Sequence, residues 1–360
     1  MKEKRVVISG GGTGGHLFPA LVLGQKLREK DGRIALTFVG SGRAGEKSIM
    51  ARQNVRFVPM RIEGLKGRGW RSLRGWALLP GAFLKSLSLL IRLRPALVVG
   101  VGGYSSGPVV LLASWMGLPT MILEQNARPG FTNRMLLRWV DKAVAAFDAS
   151  LPYFKGKGVA LGNPVRDEFY AIPRKDPKGR LALLIFGGSQ GSRVLNHAVA
   201  AALPLLKSER NRLAVVHQTG PADAVWMKTQ YQEHGFAEAT VAPFLDDMPS
   251  YFRQADLVVS RAGATTCAEL IAARRAAILV PFAAAADDHQ ALNAEVLRAA
   301  GGADIVPEGV DLASRLAERI RFYLGHRERL AAIALGLESL RKEDAAGKIA
   351  GLCLELMETR

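Results

Sequence analysis

Twice in this chain a short apolar strand pattern runs straight into a cluster of glycines and then into a helical pattern, and that arrangement limits the fold more than any other feature. RVVIS (Arg5–Ser9) leads into GGGTGGH (Gly10–His16), and LALLIF (Leu181–Phe186) leads into GGSQGSR (Gly187–Arg193). Glycines at the carboxyl end of a strand let backbone N–H groups close on an anion, and the next helix adds the positive end of its dipole. The folds that carry such loops are doubly wound α/β sheets, whose ligands sit at the carboxyl ends of parallel strands.

The rest of the sequence fits two such sheets. In the first half, apolar runs fall at Arg5–Ser9, Ile34–Val39, Arg56–Met60, Ala96–Gly100, Thr120–Leu123 and Ala143–Ala146. In the second they fall at Leu181–Phe186, Leu213–His217, Thr240–Ala242, Leu257–Ser260, Ala277–Val280 and Ala303–Val306. Apolar runs separated by helix-length segments predict parallel strands covered on both faces. A chain of 360 residues suits two domains. Pro164, Pro173 and Pro177 mark a linker between Asn163 and Gly179. The expected fold is α/β, two tandem Rossmann-like doubly wound domains separated by a cleft. They cover residues 1–165 and 166–340, and a helical stretch, 341–360, follows.

Composition narrows the partners. A net charge of +17 selects for anionic ones: nucleic acid, an acidic membrane leaflet, or phosphate-bearing substrates. Cys267 and Cys353 form neither a spaced metal set nor a disulfide framework, which points to a reducing compartment. The N-terminal apolar run is too short for a secretion signal. Pro95–Leu123 carries no charge and is long enough to span a bilayer. It is broken by Gly100, Gly102, Gly103, Gly107, Pro108, Gly117 and Pro119, and so reads as strand, loop, helix, strand.

GGGTGGH contains the dinucleotide-binding spacing through Gly10, Gly12 and Gly15. That fingerprint calls for an acidic residue at the end of the second strand. Here the strand ends Phe38-Val39-Gly40-Ser41, and the next carboxylate is Glu46, which argues against a nicotinamide cofactor. No Gly-Lys-Ser/Thr follows a glycine loop, so there is no Walker site either. A third loop, GVGGYSSGP (Gly100–Pro108), follows the fourth run. Asp-x-Asp is absent, so no metal is expected to hold a diphosphate.

Taken in order, GGGTGGH, GVGGYSSGP, EQNARPG (Glu124–Gly130), GNPVR (Gly162–Arg166), GGSQGSR, RAGATTCAE (Arg261–Glu269) and AADDHQALNA (Ala285–Ala294) resemble the motifs of the bacterial MurG family of N-acetylglucosaminyltransferases. The resemblance covers nearly the whole chain. It implies the two-domain GT-B fold, with UDP-GlcNAc on the C-terminal domain and the acceptor and membrane on the N-terminal domain. The stretch 341–360 would cross back to the first domain. The implied reaction is an inverting, metal-independent transfer of GlcNAc from UDP-GlcNAc to the MurNAc 4-hydroxyl of undecaprenyl-pyrophosphoryl-MurNAc-pentapeptide (lipid I). The product is lipid II for peptidoglycan synthesis, and no cofactor takes part.

The resemblance also implies roles for individual residues. Thr13, Gly14 and Gly15 contact the sugar nucleotide, together with Asn126, Arg166, Ser189, Leu245 and Gln290. Ala264, Thr265 and Thr266 offer backbone contacts, and Glu269 binds the ribose. His16 is the general base. Gly14, Gly15, Gly102, Gly103, Tyr104 and Ser105 hold the acceptor diphosphate. The residues alone leave other readings open. Glu269 would also complement its helix dipole, Arg166 would suit a solvated linker, and Asp246 or Asp247 a helix cap. A histidine at a helix start such as His16 also suits a structural place, and Cys267 suits packing.

Between Glu63 and Glu124 there is no acidic residue, while Lys66, Arg68, Arg71, Arg74, Lys85, Arg92 and Arg94 accumulate. Trp70, Trp76, Leu79, Phe83, Leu84, Leu87 and Trp115 are interleaved with them. Cations beside aromatics and leucines fit an anionic membrane surface, through the stretch 66–94. Nucleic acid is not expected, because no nucleic-acid module accompanies the patch. The expected place is the cytoplasmic face of the inner membrane, as a peripheral protein.

Overall fold

The computed structural model describes residues 3–11, 14–53, 55–60, 62, 70–176 and 178–359. The chain forms two compact units, Met1–Val165 with Asp344–Arg360, and Arg166–Glu343.

Among the described residues, the first unit carries a seven-stranded parallel sheet. Its strands are β1 (Lys4–Ser9), β2 (Ile34–Gly40), β3 (Arg56–Pro59), β4 (Leu97–Gly100), β5 (Thr120–Glu124), β6 (Lys142–Ala145) and β7 (Gly158–Ala160). They lie in the order β3-β2-β1-β4-β5-β6-β7. Because side chains alternate across a strand, neighbouring residues of β1 feed different cores. Val6 and Ile8 pack with Leu23, Leu27, Ile349 and Cys353. Val7 packs with Leu90, Val109, Val110 and Ile122. That double burial is why the strands read as continuous apolar runs. β7 is an addition to the expected strands: its three residues, Gly-Val-Ala, hold one β-branched side chain and give no readable pattern. Pro95–Leu123 resolves into β4, a helix at Ser106–Trp115 and the start of β5. Among the described residues, no helix is long and apolar enough to cross a membrane.

The second unit repeats the plan with β8 (Leu181–Phe186), β9 (Leu213–Gln218), β10 (Thr240–Ala242), β11 (Leu257–Ser260), β12 (Ala276–Leu279) and β13 (Asp304–Ile305). Their order is β10-β9-β8-β11-β12-β13, parallel throughout among the described residues. Each sheet therefore reverses its direction of winding once, between β1 and β4 in one unit and between β8 and β11 in the other. Such a switch point opens a crevice at the strand ends, and that is where doubly wound sheets bind ligands.

The last helix (Ala345–Glu358) leaves the second unit and packs on the first helix (Gly14–Lys30). Ile349, Ala350 and Cys353 are fully buried there. Truncating Ile349 to Ala should cost the first unit about 3 kcal/mol, the usual penalty for hollowing a packed core. Urea unfolding should show the first unit's transition moving to lower urea while the second unit's stays in place.

Candidate active site

In the first unit, β1 and β4 flank the switch point and each runs into a glycine loop. The loops touch through their backbones. A Cβ on Gly103 would lie 2.5 Å from the Gly11 carbonyl oxygen, and one on Gly10 would lie 2.6 Å from the Gly102 carbonyl oxygen. Gly102 and Gly103 have φ of 92° and 79°, a region that strains any residue with a side chain. The structure thus brings Gly14, Gly15 and His16, at the start of the first helix, together with Gly102 and Gly103. Thr13 lies outside the described residues. The first turn of that helix carries no acidic residue of its own. His16 is half-buried, and a Cβ on Gly102 would sit 2.8 Å from its Cε1. Its Nδ1 lies 3.2 Å from Gln125 Oε1. Tyr104 is half-buried in the same loop. Ser105 is buried; its carbonyl accepts from Ser9 Oγ at 3.1 Å, and its own Oγ has no partner among the described residues.

Asn126 follows β5 and is positioned by a buried carboxylate. Glu124 Oε1 accepts from the Asn126 N–H at 2.9 Å and from its Nδ2 at 3.0 Å. The other oxygen accepts from Gly130 N–H and Asn133 Nδ2, both at 2.9 Å. Burying a carboxylate is costly unless donors surround it, and here four do.

In the second unit, Ser189 is half-buried in the turn that follows β8. Gly188 and Gly191 take φ of 98° and 75°, and a Cβ on Gly191 would meet the Thr219 carbonyl oxygen at 1.9 Å. After β11 a helix spans Ala264–Ala273, capped by Gly263, which has no side-chain oxygen to occupy the first N–H groups. Ala264, Thr265 and Thr266 form its first turn, and Glu269 stands one turn beyond Thr265 on the same face. Burial pushes the Glu269 carboxyl up to about 7, against the opposing pull of the Arg166 guanidinium. Arg166 is exposed and lies over the Phe169 ring at 5.3 Å. Gln290 Oε1 accepts from Phe282 N–H at 3.0 Å, which leaves its Nε2 to donate. Asp247 caps the helix Met248–Gln254 by accepting from Ser250 N–H. Burial raises the Cys267 thiol to about 12, so it packs rather than reacts.

Three polar residues to which the motifs assigned no role hold these loops, although Gln125 lies within EQNARPG and Arg261 opens RAGATTCAE. Gln218, buried at the end of β9, donates from Nε2 to the Gly188 carbonyl at 2.9 Å and accepts from Leu245 N–H at 2.8 Å. The Leu245 N–H is thereby committed within the protein. Arg261 is also buried. It donates to Ser192 Oγ at 3.0 Å and to the Val280 carbonyl at 3.1 Å, and it pairs with Glu308 at 2.5 Å. Gln125 is the third. A polar residue at or directly after a strand end is a sequence signal that the three share.

Two family models match the chain: glycosyltransferase family 28 N-terminal domain over residues 6–145, and family 28 C-terminal domain over residues 182–349. A UDP-N-acetylglucosamine–N-acetylmuramyl-(pentapeptide) pyrophosphoryl-undecaprenol N-acetylglucosamine transferase of Myxococcus xanthus is 42% identical, over 98% of this chain and 93% of that protein. The protein of the same name from Syntrophus aciditrophicus is 41% identical, over 98% of this chain and 99% of its own. The crystal structure of Acinetobacter baumannii MurG superposes with a TM-score of 0.80 at 29% identity, covering 98% of this chain and 99% of that one. The chain belongs to the MurG family. As a MurG-family glycosyltransferase it has the two-domain GT-B fold, and its two units are the two Rossmann-like halves of that architecture.

The Glu269 environment gives a pH-dependent signature. A carboxyl raised from 4.5 to about 7 binds its proton more tightly folded than unfolded. The second unit should therefore lose stability as pH rises across that window, and Glu269→Gln should flatten the slope in urea unfolding. Carboxyl carbon NMR should place the Glu269 midpoint near 7. Arg166→Ala should move it higher, since the guanidinium is what pulls it down.

Proposed function

We propose that this chain transfers GlcNAc from UDP-GlcNAc to the MurNAc 4-hydroxyl of lipid I, giving lipid II, with inversion at the anomeric carbon. The observation that carries the reading is the pair of switch-point sites. Each unit offers helix-terminal N–H groups and glycine loops suited to a diphosphate, one beside an imidazole and the other beside a half-buried carboxylate. The relatives' names supply the sugars.

In this reading the second unit holds the donor. Ala264–Thr266 and the turn around Ser189 face the diphosphate, Glu269 accepts from the ribose hydroxyls, and Arg166 and Gln290 donate to the nucleotide sugar. Thr13, Gly14, Gly15 and Asn126 are assigned to the donor as well. Gly102, Gly103, Tyr104 and Ser105 hold the acceptor diphosphate, with the Ser105 hydroxyl as one donor. His16 takes the proton of the acceptor 4-hydroxyl as that oxygen bonds to C1 of GlcNAc. The bond from C1 to the UDP oxygen breaks, and UDP leaves with the electron pair, its charge stabilised by backbone N–H groups.

A peripheral place on the cytoplasmic membrane face accompanies this function, since the acceptor is anchored by its polyprenyl chain. On the helix Trp70–Leu93, Leu84, Leu87 and Ile91 are exposed while Leu89, Leu90 and Leu93 enter the core. Lys66, Arg68 and the side chains of Trp70, Arg71, Arg74 and Trp76 lie outside the described residues. Trp115 and Trp139 are also exposed, edge to face at 5.9 Å, with Arg138 over the Trp139 ring. Aromatics and cations of this kind suit an anionic headgroup layer.

Mixing the protein with UDP-GlcNAc and a lipid I analogue should release UDP, and UDP-GlcNAc alone should yield no epimer. His16→Ala should lower kcat by about 10²- to 10⁴-fold, the range of a lost general base, with the KM for UDP-GlcNAc little changed. Full activity in that variant would remove His16 from the mechanism. For the membrane face, Leu84→Glu with Ile91→Glu should weaken co-sedimentation with anionic vesicles while leaving UDP binding intact.

A further inference from the structure

The ring of His16 is held from one side by the Gln125 side chain. Gln125 sits immediately after β5, buried to 1% exposure. Its Nε2 is 3.0 Å from the Val101 carbonyl oxygen. A carbonyl only accepts, so the amide nitrogen must face Val101, and the amide oxygen must face the other way. That oxygen is the atom 3.2 Å from His16 Nδ1. An amide oxygen also only accepts. The proton between them therefore belongs to Nδ1, and the ring's basic lone pair lies on Nε2.

We infer that Gln125 is a positioning residue that fixes His16 in its Nδ1–H tautomer, so that Nε2 is the atom that receives the acceptor proton. The inference rests on the reading of His16 as general base for its catalytic meaning, and on geometry alone for the tautomer. Three further features support it. Val101 is itself fully buried and its N–H donates to Ser9 at 2.8 Å, so the carbonyl that orients Gln125 belongs to the switch-point backbone. Gly102, with φ of 92°, has no side chain to push the ring away: a Cβ there would come within 3.0 Å of His16 Nδ1. The ring is thus confined between a glycine backbone and an amide whose direction is set from behind. When His16 takes up a proton, the same amide oxygen keeps its bond to Nδ1–H and stabilises the imidazolium. Which ring nitrogen carries the proton is ordinarily set by such a partner of the other nitrogen.

The test uses full-length protein labelled with ¹⁵N-histidine at a pH where His16 is neutral. The wild type should show a protonated Nδ1 and an unprotonated Nε2 for His16. Gln125→Met, close in shape but without the amide oxygen, should shift the population toward the Nε2–H form. Its kcat should fall by about 10²-fold, while the KM for UDP-GlcNAc stays within about twofold of wild type. Gln125→Glu, whose carboxylate accepts the same bond, should retain the Nδ1–H tautomer. An Nε2–H tautomer in the wild type would overturn the inference without any variant, as would an unchanged tautomer in Gln125→Met. If the tautomer responds as described but His16→Ala remains fully active, the positioning by Gln125 stands and the base assignment falls.

Discussion

The structure turns on how closely two backbones approach at a sheet's switch point. In the first unit Gly10 and Gly11 lie against Val101–Gly103 with no space for a Cβ. In the second unit the loop after β8 packs on the end of the neighbouring β9 rather than across the switch point, and there Gly191 lies against Thr219 and Gly220 with even less space. These contacts fix where each loop ends, and so where the first turn of the next helix points its N–H groups. A side chain at Gly103 or Gly191 would have to separate the loops, in a backbone region already unfavourable to it. The direction of the helix-terminal N–H groups thus follows from packing that excludes side chains, and the polar residues serve to keep that packing in register.

Register is kept by polar groups that spend their hydrogen-bonding capacity inside the protein. Glu124 satisfies four donors around the loop that carries Asn126. Gln218 bridges Gly188 and Leu245, and Arg261 links Ser192 to Val280. Glu46 does similar work below the first loop, accepting from Ser41 Oγ and Gly42 N–H at 2.9 Å. In a nicotinamide-binding sheet an acidic residue after the second strand would meet a ribose; here the carboxylate that follows β2 is engaged with the loop itself.

This explains what could be read from the sequence and what could not. The two parallel sheets were legible because double burial writes itself as uninterrupted Val, Ile and Leu, as at Leu181–Phe186 and Leu257–Ser260. The glycine loops were legible because a left-handed backbone leaves glycine as the ready choice. β7 was not, since a three-residue edge strand carries no period. The return of the last helix to the first unit came only through the family resemblance: Ile349 and Cys353 announce a buried face, but nothing local says that the first helix covers it. Gln125 and His16 are 109 residues apart, and Arg261 and Ser192 are 69 apart. An amide or guanidinium takes its role from partners at that distance, and a motif records only that the residue is present.

Glu269 shows a different use of burial from Glu124. Four donors surround Glu124, whereas desolvation is the largest influence on Glu269 and Arg166 offsets only part of it. A carboxyl poised near neutrality costs the unliganded protein less than a fully ionised one in the same place would. Ribose hydroxyls donate hydrogen bonds, and they bond best to the ionised form, so a bound nucleotide would draw the carboxyl's pKa down and strengthen its own contacts. Under the proposed function, the donors that Glu269 lacks would be the ribose hydroxyls of the nucleotide. By the same logic the Oγ of buried Ser105, which has no partner among the described residues, would donate to an acceptor diphosphate held by the first unit. Groups completed inside the protein build the loops; under the proposed function, groups that it leaves short of partners, such as Glu269 and Ser105, would read the substrates.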